Sequence, residues 1–192
     1  MLFEIYTISG TPGSGKSTVA KILEQKTNYH RIHAGGIFRK ELYPNLEYNP
    51  KSLPFEEWYS TLPSDFLDRE VDSRMASVAR EKSGLILEGR MVFNVVPKDK
   101  KALHIYLKCD PKIAAMRIFH QSSSGKGREE ESKYVDEKEV FEKIEIRTKA
   151  EQERYKKIYG VDVQDMKHYN IVIDTTNISP EDVVEIILLK SR

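Results

Sequence analysis

The apolar positions along the chain fall into short runs separated by amphipathic stretches. Residues Leu2 to Ile8 (LFEIYTI) are apolar and β-prone and lead straight into a glycine-rich stretch, which predicts a buried strand ending in a tight turn. From Ser17 onward Val19, Ile22 and Leu23 recur at three-and-four spacing with Lys26 opposite, the pattern of a helix packed on a sheet. Val71, Met75, Val78 and Ala79 repeat in the same way and predict a helix that returns the chain to the sheet. Leu85 to Leu87, His104 to Leu107 and Asn170 to Ile173 are each long enough for a buried strand. A last helix carries its own start signals. Ser179 caps it, Pro180 takes the first position, Glu181 and Asp182 fill the first turn, and Val183, Val184, Ile187 and Leu188 form the stripe. Strand and helix signals that alternate over the whole length predict a parallel sheet covered on both faces through right-handed crossovers.

Two segments interrupt this alternation. Between Glu41 and Asp65 the prolines Pro44, Pro50, Pro54 and Pro63 break any long helix, so short helical turns forming a flap beside the core are expected. Trp58 and Tyr59 lie inside it, and two roles stay open for Trp58: a satellite core under the flap, or contact with a substrate. The stretch between Gln121 and Asp136 is polar and glycine-containing, and a charged helical pattern runs from Glu137 to about Tyr159. That composition suits a plain loop, and equally a lid with enough Gly and Ser to move and enough Lys and Arg to meet phosphates on closing. With 192 residues the chain is expected to form a single domain. Its core is placed at about 1–40, 66–120 and 160–192, the insertion at about 41–65 and the lid at about 121–159.

Composition narrows the function classes. Lys plus Arg is 31 against Asp plus Glu at 30, a net charge of +1, so no nucleic-acid partner is expected and any anion site must be local. Cys109 is the only cysteine, which leaves no pair for a disulfide, a zinc site or a redox motif. No stretch approaches the ~20 apolar residues of a membrane span, and the N-terminus lacks the features of a secretion signal. A soluble, cytoplasmic monomer is the expectation, with no membrane partner.

The chemistry begins at Gly10-Thr11-Pro12-Gly13-Ser14-Gly15-Lys16-Ser17, which satisfies G-x-x-x-x-G-K-[ST] between a predicted strand and a predicted helix. In that context successive backbone N–H groups can turn inward and cradle a β-phosphate at the positive end of the helix. Lys16 is then expected to bridge the β- and γ-phosphates of ATP, Ser17 to ligate Mg²⁺, and Gly10 through Thr18 to make up the nucleotide cradle. The fold class that follows is a P-loop α/β domain, three layers α/β/α around a parallel sheet. Glu88 and Arg90, in Leu87-Glu88-Gly89-Arg90 at the end of a predicted strand, fall where open parallel sheets bind ligands. Glu88 is assigned to Mg²⁺ through a water and Arg90 to an acceptor phosphate. Arg39, after Ala34-Gly35-Gly36-Ile37-Phe38, is a second candidate clamp, because a guanidinium fork matches phosphate oxygens. Phosphoryl transfer requires charge neutralisation more than covalent help, so arginines are expected to converge. Arg117, Arg128, Arg147 and Arg154 lie in or around the lid, the last two spaced to share a helix face. The five histidines show no metal-ligand spacing and are assigned structural roles.

Taken together, ISGTPGSGKSTVAKIL, HAGGIFR, DREVDSRM, ILEGRMVFNVVPKD, EQERYKKIYGVDV and NIVIDTTNISPEDVVEII resemble, in order and spacing, the nucleoside monophosphate kinases, and most of all the short archaeal cytidylate kinases. The resemblance implies an ATP- and Mg²⁺-dependent kinase acting on CMP and dCMP. By it Arg39 and Arg90 correspond to acceptor-phosphate ligands, and Asp68, Arg69 and Asp72 fall near the acceptor base. Arg147 and Arg154 match lid arginines, and the Asp174 to Asn177 turn lies by the adenine of ATP. The chain departs from the family pattern at Gly36, where an acidic or hydroxyl residue is common, in its longer Pro- and aromatic-rich insertion, and at Thr148 and Lys149, which replace acidic residues. Adenylate kinase and small-molecule kinases of the shikimate or gluconate kind share the donor site and remain alternatives. A regulatory ATPase that has lost transfer is the alternative from another class.

Overall fold

In the computed structural model, which describes residues 2–45, 47–53, 58, 61–62, 65–124 and 134–192, five parallel strands form one sheet in the order β2-β3-β1-β4-β5. The strands are β1 (Ile5–Gly10), β2 (His30–His33), β3 (Leu85–Glu88), β4 (Ala102–Lys108) and β5 (Ile171–Asp174). β1 is central, paired to β3 with Ile5 opposite Leu85 and to β4 with Ile5 opposite Ala102. The chain leaves β1 toward one edge and later returns from β3 to the other side through β4. The carboxyl end of β1 is therefore the switch point at which such sheets open a crevice. All six residues of β1 are buried, as expected of a strand covered on both faces.

The period-two alternation of the strands divides the core. Tyr6, Ile8, Ile86, Ile105 and Leu107 face α1 (Lys16–Lys26) and the C-terminal helix, whose Val183, Val184 and Ile187 are buried as the stripe predicts. Ile5, Leu85 and Leu87 face the opposite way. There they meet Val71, Met75 and Ala79 and, beyond them, Trp58. In chain order α2 (Ala34–Gly36) runs on as a π-helical segment (Ile37–Leu42) and is followed by α3 (Phe66–Glu81), α4 (Pro111–Ser123), α5 (Glu137–Tyr159) and α6 (Pro180–Lys190). Capping follows local chemistry. Asp110 accepts from the N–H groups of Lys112 and Ile113, Asp136 from that of Glu139, and Ser179 from that of Asp182. α1 and α3 start without a side-chain cap, and the N-cap of α1 is Gly15, which has no side chain to supply one.

β2 was not anticipated. Its sequence, HRIH, is polar because it is an edge strand, paired only to β3, and two of its side chains are committed to the site described below. The helical positions of Val71 and Ala79 and the span of α5 agree with the periodicity. Trp58 is 1% exposed, packed against Phe38 and Tyr43 with its indole N–H donated to the Tyr48 carbonyl at 2.7 Å. It is the satellite core of the two roles left open. Pro54, Tyr59, Pro63 and Arg128 lie outside the described residues.

Candidate active site

The Gly10–Ser17 loop is held by its own backbone and by neighbouring strands. Thr11 N–H donates to Leu107 O at 3.2 Å, Ser14 Oγ donates to Thr11 O at 2.8 Å, and Thr175 Oγ1 donates to Ser14 O at 3.0 Å. Two glycines are required by space as well as by torsion. At Gly10 (φ +148°) a Cβ would stand 2.1 Å from Leu107 O, and at Gly13 (φ +70°) 2.7 Å from Ala114 O. The first N–H groups of α1 have no intrahelical acceptor and no side-chain cap takes them up, so the helix dipole at this end favours an anion. Lys16 Nζ folds back onto the carbonyls of Gly10 (3.0 Å) and Thr11 (2.5 Å). Its ammonium thus sits at the loop mouth.

Next to the loop, Glu88 is buried at the end of β3. Ser17 Oγ donates to its Oε1 at 2.5 Å, Arg31 Nε and Nη2 donate to its Oε2 at 2.8 and 2.5 Å, and His33 Nε2 lies 3.5 Å from Oε1. Burial by itself would raise the carboxyl, but His33, the Ser17 hydroxyl and Arg31 outweigh it and hold Glu88 below the usual range. Arg39 stands beside this group. A Cβ on Gly35 would come within 2.6 Å of Arg39 Nη2 and 3.0 Å of His33 Cε1, so Gly35 leaves room for the guanidinium. Hydroxyl and carboxylate oxygens are the hard donors that Mg²⁺ takes, and Ser17 with Glu88 fits that requirement.

A second cluster joins β3 to α5. Arg90 donates Nη1 to Gly10 O at 3.0 Å and pairs through Nε with Glu151 Oε2 at 3.0 Å. Arg147 pairs with the other oxygen of Glu151 at 2.8 Å. Burial raises Glu151, but Arg90 and then Arg147 bring it below its ordinary value. Gly10, Arg90 and Glu151, with Thr11, Tyr106, Thr148 and Tyr155, line a pocket at the mouth of the loop. Arg154 turns elsewhere, its Nε 2.5 Å from Asp68 Oδ2 of α3. One turn along α3, Asp72 accepts from Tyr159 OH at 2.7 Å. Burial dominates at both carboxyls, raising Asp68 and pushing Asp72 up to about 6.

The structure therefore brings Lys16, Ser17, Glu88 and Arg90 to the crevice at the end of β1, with Arg147 reaching it through Glu151. Arg154, Asp68 and Asp72 form a separate seam between α3 and α5. Arg69 pairs with Asp65 on an exposed side of α3, within electrostatic range of Tyr159. Arg117 does not join the arginines either. It donates to the carbonyls of Thr175 and Thr176 at 2.9 and 3.1 Å, since α4 starts beside that turn. Arg31, His33 and Glu151 were missed by sequence reasoning. For Arg31 and His33 a signal existed: parallel alternation requires a strand between α1 and the next helix, and only residues 28–33 are available for it.

Residues 5–177 match the model of the cytidylate kinase-like family. A cytidylate kinase of Methanosphaera stadtmanae is 33% identical over 183 residues, covering 95% of each chain. A cytidylate kinase of Methanothermobacter thermautotrophicus is 35% identical over 177 residues, covering 92% of this chain and 98% of that one. Among solved structures, a shikimate kinase from Bacteroides thetaiotaomicron superposes with a TM-score of 0.59 at 14% identity, covering 97% of this chain and 98% of the other. That likeness concerns the fold.

Proposed function

This chain belongs to the cytidylate kinase-like family, and from that premise we propose that it transfers the terminal phosphoryl group of ATP to CMP or dCMP, giving CDP or dCDP. The observation that carries the reading is the meeting of the Gly10–Ser17 loop with Arg90 at one point, through the 3.0 Å hydrogen bond from Arg90 to Gly10 O. A donor cradle and a cation for a second phosphate then lie side by side. An ATPase without an acceptor would have no use for the second.

The loop N–H groups hold the donor β-phosphate and Lys16 leaves its carbonyl partners for the γ-phosphate. Ser17 and, through water, Glu88 would hold Mg²⁺, which neutralises charge on the β- and γ-phosphates. Arg90 and Arg39 bind the acceptor phosphate as guanidinium forks. Glu151 is the anion to which Arg90 and Arg147 are already aimed. An incoming phosphate competes with that carboxylate for the same cations, so both arginines arrive preoriented. Arg154 fastens α5 to α3 at Asp68. No helix of the described residues is long and apolar enough to cross a membrane.

The test is ADP release from ATP and Mg²⁺ with CMP, dCMP, UMP, AMP or GMP, each against a no-acceptor control. Turnover with CMP or dCMP above the others is expected. Preference for AMP would replace the base assignment and keep the mechanism, and release indifferent to every nucleotide would overturn the acceptor reading.

A further inference from the structure

Among the described residues three buried hydroxyls have no hydrogen-bond partner, those of Ser9, Thr11 and Thr148, and the last two line the pocket at the mouth of the loop. Gly10, Arg90 and Glu151 line the same pocket. A buried hydroxyl left unpaired is costly, and native proteins retain few of them. A threonine in mid-helix ordinarily turns its hydroxyl back to the carbonyl four residues earlier. Thr148 makes no such bond, and alanine or lysine would serve the helix better. Packing therefore does not account for the hydroxyl, whereas a ligand in the pocket would.

The surroundings specify that ligand. Arg90 lies in the pocket, Arg147 precedes Thr148 in the chain and shares Glu151 with Arg90, and Gly10 and Thr11 open the nucleotide loop. An anion bearing several oxygens is the group that two guanidinia and two hydroxyl donors would recognise together. The pocket is lined by the donor loop and by Arg90 together. We propose that the Thr148 hydroxyl, with that of Thr11 in the same pocket, is a catalytic donor to a non-bridging oxygen of the phosphoryl group in transit, a role that rests on the kinase reading above.

The bond from the γ-phosphorus to the β,γ-bridging oxygen breaks, and ADP leaves with the electron pair. A bond forms from the same phosphorus to an oxygen of the acceptor phosphate. Thr148 keeps its proton and changes no covalent bond. Its hydrogen bond strengthens as charge spreads over the equatorial oxygens, so its contribution falls on the transition state rather than on either ground state.

The experiment compares wild-type protein with T148V and T148S. T148V is expected to lower kcat about tenfold to a hundredfold, the range for one hydrogen bond to a charged group, with the KM of ATP and of CMP unchanged. T148S restores the hydroxyl and should recover most of the rate. Binding of ADP with aluminium fluoride and CMP, a mimic of the transferring group, should weaken in T148V by the same factor while ADP alone binds as before. Should T148V fail to fold, T148A removes the hydroxyl without the second methyl and carries the same comparison. Unchanged kcat, or a rise confined to the KM of CMP, would overturn the assignment. Wild-type protein that turned over no nucleoside monophosphate would instead overturn the kinase reading itself, so the two failures are distinguishable.

Discussion

Around Gly10 the protein holds its site with backbone, whereas around Arg90 it holds it with side-chain charge. The loop is fixed by main-chain hydrogen bonds to β4, by the hydroxyls of Ser14 and Thr175 and by glycines that no other residue can replace in the available space. The cluster of Arg90, Glu151 and Arg147, and the seam of Arg154, Asp68, Tyr159 and Asp72, consist of ion pairs and hydrogen bonds between elements distant in sequence. Backbone cradles accept the feature that all nucleoside triphosphates share. Side-chain clusters can be rearranged by substrate or by pH, and are the natural place for discrimination and closure.

The largest break should come from the donor half. Lys16→Ala removes the ammonium aimed at the γ-phosphate while leaving the backbone cradle in place. Its kcat should fall by roughly a thousandfold or more, with ATP still bound, as measured by coupled ADP release and nucleotide titration. Near-normal turnover would mean that the loop does not work through its lysine.

Arg90→Ala tests the other half. Loss of a charge-assisted contact should raise the KM of CMP by about tenfold to a hundredfold. It also leaves Glu151 with Arg147 and without its most buried cation, so thermal stability should fall as well. An unchanged acceptor KM and turnover would show that the acceptor phosphate lies elsewhere.

The seam gives the smallest and most specific effect. Asp72 is pushed up from 3.8 to about 6 by burial. Below about pH 4 the folded and unfolded chains both hold the proton, and the benefit is fully present. Between about pH 4 and pH 6 the unfolded chain releases it first, so this group's contribution is lost as pH rises. Asp72→Asn keeps an acceptor for Tyr159 and removes the titration. It should be more stable than wild type at pH 7 by at most roughly 3 kcal/mol, the full value of the shift, with the gap closing toward pH 4. Urea unfolding across that range measures it, and a gap independent of pH would refute a titrating Asp72.

What could be read from the chain follows the same division. The strands at Leu85, His104 and Asn170, the helix stripes and the loop motif were legible because burial on a sheet imposes a period and a phosphate cradle imposes glycines at set positions. The edge strand His30–His33 was not, because Arg31 and His33 trade the apolar signal for a contact with Glu88. Glu151 was hidden within a charged helix where any glutamate reads as solvated surface, and it is 8% exposed. Trp58 was ambiguous until its neighbours were known.

By itself the sequence determined the alternating α/β order, the position of the nucleotide loop and the residues whose local conformation the loop demands, since each depends on neighbours within a few positions. Only the tertiary structure decided which charges meet: Arg31 with Glu88, Arg90 and Arg147 with Glu151, Arg154 with Asp68. An ion pair depends on distance in space and on how much water is excluded around it, and neither is encoded by spacing along the chain.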